Sequence, residues 1–192
     1  FEDVWDKDAI LFPEKIKGRY VIYHRIEPGI WVSYLDELKF PAPRGRHSII
    51  MGPRSGRMWD SVKIGAGTQP LKTDFGWLMI YHGVDRDRVY RLGVMLVDAR
   101  DPERLLYRSP NPVLAPETEC EIGIPGQAWV CNVVFTCGAV PAEDKERLYE
   151  DDELLVYYGA ADSHLCVATC KVGDLLPEEI RRKYRGAVYE SE

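Results

Sequence analysis

The sequence predicts an all-β fold of the β-propeller kind, and three observations carry that prediction. One hairpin pattern recurs three times, the intervals between its copies are unequal, and helical periodicity is nearly absent. The first strand of each copy is a short β-branched and aromatic run, at residues 19–25, 76–83 and 153–159. Each run ends in Tyr followed by His or Tyr: Tyr23-His24, Tyr81-His82 and Tyr157-Tyr158. A turn and a second strand-like run follow at residues 30–35, 90–97 and 165–172, and each closes near an aspartate, Asp36, Asp98 or Asp174.

Apolar runs of this length, bounded by Gly, Pro and Asp, read as strands. Their recurrence marks an internal repeat, which governs the choice of fold. Unequal intervals suit propeller blades with variable loops better than a tight solenoid. The helical exception is residues 175–184, where Pro177, Glu178 and Glu179 come early and Arg181 and Arg182 late, an order that suits the helix dipole. A propeller needs at least about four blades to close. Three repeats and a first residue Phe1 therefore lead to the expectation that residues 1–192 form the C-terminal part of a single β-propeller domain, its other blades lying upstream.

Composition excludes several classes of function. A net charge of −6, from 25 basic and 31 acidic residues, argues against a broad nucleic-acid surface but leaves room for a local basic pocket. No apolar run approaches the roughly 20 residues of a membrane helix. The five cysteines are odd in number and lack a CxxC pair, so they are expected to be reduced and mostly buried. Cys166 and Cys170, four apart in a strand, are expected on one face. With no visible leader, a cytoplasmic location is the expectation. Neither a P-loop, a GxSxG, an HExxH nor a zinc-spaced Cys/His cluster occurs.

In a propeller the equivalent strand ends converge at one mouth of the central channel. That would bring Arg25, His82 and Tyr158 around one axis. Lys63 precedes Gly65-Ala66-Gly67, whose backbone would let a ligand approach closely. Arg supplies a planar fork and Lys a compact charge, so with His they suit a phosphate or oxyanion. Taken singly, each has a plainer reading: Arg25 as a solvated or ion-paired strand end, His82 as a core histidine, the glycines as a turn. Asp162, in the turn after the third repeat's first strand, reads as a local cap or as an acceptor for sugar hydroxyls. Lys7 and Asp8 read as a solvated pair or as polar ligands. The tryptophans are expected to pack between blades, with sugar stacking as the alternative.

Taken together, Lys7-Asp8 through Pro13, Tyr23-His24-Arg25, Lys63 through Gly67, Gly76 through Gly83, Tyr90 through Gly93, Asn132 through Phe135 and Tyr157 through Asp162 resemble glycoside hydrolase family 130. This family of five-bladed propellers contains mannoside phosphorylases and some β-mannoside hydrolases. The resemblance implies that Arg25, Lys63 and His82 bind phosphate, that Asp8 and Asp162 bind the mannosyl unit, and that Tyr90 belongs to the acceptor side. The family often carries Asn at the position of Asp8. Its acid, an aspartate in a Glu-Asp-Pro-Arg motif, would lie upstream; Phe1, Glu2, Asp3 and Val4 do not form that motif.

The implied activity is inverting phosphorolysis of β-mannosides, giving α-mannose 1-phosphate and a shortened acceptor, with inorganic phosphate as co-substrate and no metal or organic cofactor. A family hydrolase and a non-catalytic sugar-binding propeller are the alternatives. Small-molecule mannoside and phosphate are the expected partners, with neither nucleic acid nor membrane. Self-association through exposed Tyr and Arg of the C-terminal helix stays open.

Overall fold

The computed structural model describes residues 5–39 and 47–186; residues 1–4, compared above with the acid motif, lie outside the described residues. Three antiparallel sheets follow one another along the chain. In the first, β1 (Asp6–Leu11), β2 (Tyr20–Ile26), β3 (Gly29–Leu35) and β4 (His47–Met51) lie side by side in chain order. In the second, β5 (Lys63–Ala66), β7 (Gly76–Val84), β8 (Tyr90–Val97) and β9 (Leu105–Arg108) are neighbours in that order, and the short β6 (Leu71–Thr73) also pairs with β7. After α1 (Glu119–Ile122) comes the third sheet, β10 (Val134–Pro141), β11 (Glu153–Ala160) and β12 (His164–Lys171). Two short helices, α2 (Val172–Leu175) and α3 (Glu178–Tyr184), complete the described chain.

The three repeats are the hairpins β2–β3, β7–β8 and β11–β12, each paired antiparallel along its length. Their closing aspartates are local fasteners. Asp98 accepts from the backbone N–H of Arg100 and Asp101, Asp174 accepts from that of Lys171, and Asp36 pairs with Arg19 at 3.1 Å. The helix is shorter than predicted: Leu175 belongs to the separate turn α2, and α3 starts just beyond Pro177.

Alternation along β7 explains the layering. Trp77, Met79 and Tyr81 pack with Val21, Tyr23, Ile30 and Val32 of the first sheet. Leu78 and Ile80 face the other way and pack with Val134, Leu154 and Val156 of the third. All nine residues of β7 are buried, which is why its sequence is an almost unbroken apolar run. Each fully buried large side chain contributes roughly 1.5–3 kcal/mol.

Placement also shows a one-residue offset between the repeats. Tyr23 and Tyr81 match in sequence, yet both lie in the layer between the first two sheets, so they project from opposite faces of their own sheets. A shift of one residue turns every side chain over. His24 therefore does not share the setting of His82: its Nδ1 meets Asp6 at 2.8 Å and its Nε2 meets Ser33 Oγ at 2.8 Å. Arg25 takes the inward position instead.

A buried charge cluster clamps the same layer. Asp60 is fully buried and accepts from Tyr81 Oη at 2.8 Å, Arg54 Nη1 at 3.1 Å and Arg108 Nη2 at 2.6 Å. The two guanidiniums also donate to backbone carbonyls of Ser109 and Gly52, tying distant loops to β7.

Two expectations about residue placement change. All five cysteines are free, as expected, and Cys166 and Cys170 both pack against the core between sheets two and three. They are only partly buried, however, because β12 is a sheet edge among the described strands, and Cys137 is exposed at the bulge where the pairing of β10 with β11 slips. Trp77 is fully buried, but Trp5 and Trp129 are 79% and 85% exposed and do not pack between sheets.

Candidate active site

Arg25, near the end of β2, Asp8 on β1 and His82 on β7 come into direct contact. Arg25 Nη1 lies 2.8 Å from Asp8 Oδ2 and 3.2 Å from His82 Nε2, and His82 Nε2 lies 3.5 Å from Asp8 Oδ2. A β-bulge makes this meeting possible. Pairing of β1 with β2 slips between Lys7 and Ile10, and Asp8 takes φ +51°, a conformation uncommon outside glycine. Across the gap stands Gly65 of β5, where a Cβ would overlap Asp8 Oδ2 and His82 Cε1. The Gly65-Ala66-Gly67 run thus gives its room to protein atoms rather than to a ligand, which corrects the sequence expectation. At Gly67 the neighbours are Thr136 Cγ2 and the Ile80 carbonyl.

Lys63, the first residue of β5, stands at the rim with its side chain 27% exposed. Its Nζ is 3.7 Å from Glu27 Oε1, and the same oxygen is 3.9 Å from Arg25 Nη2. Nζ also lies 5.8 Å from the ring centre of Tyr90, at the start of β8. The imidazole of His82 rests 4.3 Å from the ring of Phe135 on β10 and 6.3 Å from that of Tyr90. Arg25, Lys63, His82, Asp8 and Tyr90 are therefore one cluster.

Asp162 is exposed in the left-handed turn after β11, at φ +50°. It is linked to the cluster through the backbone: Ala161 N–H donates to Val133, and Val133 bridges Tyr90. Tyr158 is not at this site. Its hydroxyl donates to Glu121 at 2.7 Å inside the core between sheets two and three. The same period-two rule that turned His24 away turns Tyr158 away.

Electrostatics sort the cluster into fixed and titratable parts. Burial lowers the His82 pKa from 6.5 to about 3, with Arg25 and Lys63 adding to the effect. The imidazole is therefore neutral at pH 7 and accepts the guanidinium hydrogen bond at Nε2, so its proton sits on Nδ1. Burial raises the Asp8 pKa, opposed by Arg25, Lys7 and Lys63. Arg25 Nε is buried with no hydrogen-bond partner among the described residues, leaving a donor unspent beside the cluster.

A depressed histidine pKa makes the unfolded chain bind more protons between pH 6.5 and about 3. Stability from this group is full above pH 6.5 and is lost as pH falls towards 3. In a His82→Gln variant the acid-side decline should flatten in that window. Melting temperature against pH, compared with the unsubstituted protein, checks this; parallel curves would contradict it. Asp8, whose pKa is raised, acts in the opposite direction and reduces stability as pH rises through its folded value.

Sequence reasoning missed Glu27 and Phe135 as members of the cluster. Glu27 lies two residues beyond Arg25 in the hairpin turn, so proximity in sequence was its only signal. Phe135 lay within a resembling segment but carried no chemical mark.

The chain is similar to known proteins over most of its length. A family model described as beta-1,4-mannooligosaccharide phosphorylase matches residues 1–178. A beta-1,2-mannobiose phosphorylase of Thermoanaerobacter sp. (strain X514) is 48% identical over 163 residues, covering 85% of this chain and 49% of the relative. A 1,2-beta-oligomannan phosphorylase of the same strain is 40% identical over 170 residues, covering 88% and 52%. Among solved structures, the beta-1,2-mannobiose phosphorylase of Listeria innocua, in complex with beta-1,2-mannobiose, superposes with a TM-score of 0.77 at 33% identity, over 88% of this chain and 45% of that one. The chain thus spans about half the length of the curated relatives it matches. With nearly its whole length matched and its β architecture shared, the chain belongs to glycoside hydrolase family 130, the family of the mannoside phosphorylases.

Proposed function

We propose that the complete protein carrying this chain is an inverting β-mannoside phosphorylase, and that Arg25, Lys63 and His82 hold its phosphate. The observation that carries this reading is the contact of the Arg25 guanidinium with a neutral His82, with the Lys63 ammonium at the rim beside them. Three sheets in succession would be consecutive blades of one five-bladed propeller, the remainder lying outside this chain.

In this mechanism phosphate attacks the anomeric carbon from the face opposite the leaving sugar. The C–O glycosidic bond breaks, a new C–O bond to phosphate forms, and the departing oxygen takes a proton from an acid outside this chain. An inverting hydrolase needs a second carboxylate to activate water. Phosphate is already nucleophilic, so the cations take that carboxylate's place by fixing the phosphate and stabilising charge in the transition state. Asp8 and Asp162 accept hydroxyl hydrogen bonds of the mannosyl unit, and Tyr90 borders the acceptor. Since the relatives at 48% and 40% identity bear β-1,2 names, β-1,2-mannobiose is the first substrate to try.

The test incubates the complete protein with β-1,2-mannobiose, β-1,4-mannobiose, mannosyl-glucose and mannosyl-N-acetylglucosamine, with and without phosphate. At least one disaccharide should be cleaved, and only when phosphate is present. Sugar release at the same rate without phosphate would sink the proposal in favour of a hydrolase.

A further inference from the structure

Both cations of the cluster already have a carboxylate within 4 Å. Arg25 pairs with Asp8 at 2.8 Å, while Glu27 Oε1 is shared between Arg25 Nη2 at 3.9 Å and Lys63 Nζ at 3.7 Å. With His82 neutral, the formal charges of Arg25, Lys63, Asp8 and Glu27 cancel. Full attraction for an arriving anion therefore requires one carboxylate to leave.

The two carboxylates differ in how firmly they are held. Asp8 has a side chain only 14% exposed, is fixed by the bulge and sits at contact distance from the guanidinium. Glu27 has a side chain 60% exposed, and both of its cation contacts exceed hydrogen-bond length. Exposed ion pairs of this kind are weak, because water competes for both partners. Glu27 can turn into solvent at little cost. Asp8 cannot.

We infer that Glu27 sets the phosphate affinity of the anion site: its carboxylate competes with phosphate for Arg25 Nη2 and Lys63 Nζ and is displaced when phosphate binds. This rests on the phosphate reading proposed above. A tethered competitor lowers affinity for any anion that must displace it. Glu27 thereby sets the concentration at which phosphate saturates the site.

The experiment compares the complete protein with its Glu27→Gln variant in initial-rate assays on the disaccharide that the unsubstituted protein cleaves. Phosphate and mannoside are varied separately, with melting temperature as a check on folding. Removing one unit charge about 4 Å away in a water-like medium should lower the KM for phosphate about fivefold, with the KM for mannoside little changed. Inhibition by nitrate should strengthen in the variant, and Glu27→Asp should restore part of the original KM. An unchanged KM for phosphate overturns the inference. A raised KM does so too, and would make Glu27 a positioning residue for Lys63. If the unsubstituted protein cleaves mannosides without phosphate, the phosphate reading itself falls and takes the inference with it. The two failures are therefore distinguishable.

Discussion

Replacing Lys63 with alanine in the complete protein is expected to reduce phosphate-dependent mannoside cleavage about 10²-fold, the size of effect seen when one donor to developing transition-state charge is lost. Stability should barely change. The Lys63 side chain is partly exposed, and its ion pair is with the exposed Glu27, a contact worth about 0–1 kcal/mol at most. Lys63 also reaches the site from the first residue of β5, so truncation leaves the paired backbone of that strand intact. The measurement is kcat/KM for phosphate alongside the thermal midpoint. A large fall in midpoint with activity retained would make Lys63 structural and remove it from the phosphate site.

The second large effect concerns stability. Asp60→Ala should destabilise the fold by about 3–5 kcal/mol, because removing one member of a buried ion cluster leaves the others uncompensated. Here those others are the Arg54 and Arg108 guanidiniums, with side chains only 21% and 14% exposed, and the Tyr81 hydroxyl. The expected loss is larger than for an exposed pair such as Arg19–Asp36, whose removal should change little. Urea unfolding of the two variants, Asp60→Ala and Asp36→Ala, provides the comparison. Equal midpoints would show that the cluster is not what clamps the layer between the first two sheets. Since Tyr81 neighbours His82 on β7, a loosened clamp should also disturb the site, and activity should fall together with stability.

The hairpins were legible in the sequence because their information is local. Apolar residues alternate or run continuously, turns contain Gly, Pro or Asp, and the pattern recurs. The almost unbroken apolar character of residues 76–84, interrupted at His82, reports a strand covered on both faces, which is where β7 lies. What the sequence did not reveal is the face each aligned residue takes. Tyr23 and Tyr81 look equivalent, but the one-residue offset sends them into the same layer from opposite sides. The offset explains why Tyr158 misses the site and why Arg25 rather than His24 reaches His82.

Site membership was legible as residue types and not as geometry. Arg25, Lys63 and His82 were recognisable together through resemblance, and the fold brings them into one cluster. Asp8 joins them through a bulge and a left-handed backbone, neither of which a strand pattern announces. Gly65 was read as space for a ligand, but it is the gap through which Asp8 and His82 meet. The Asp60 cluster draws on residues 54, 60, 81 and 108, which only tertiary packing brings together. Charges that meet across sheets leave no periodic trace along the chain.

The proposal that the complete protein is a mannoside phosphorylase is tested most directly by phosphorus NMR as it turns over its disaccharide. The inorganic phosphate signal should decline while an α-mannose 1-phosphate signal grows, in step with release of the shortened acceptor. Free mannose accumulating while the phosphate signal stays constant would contradict it.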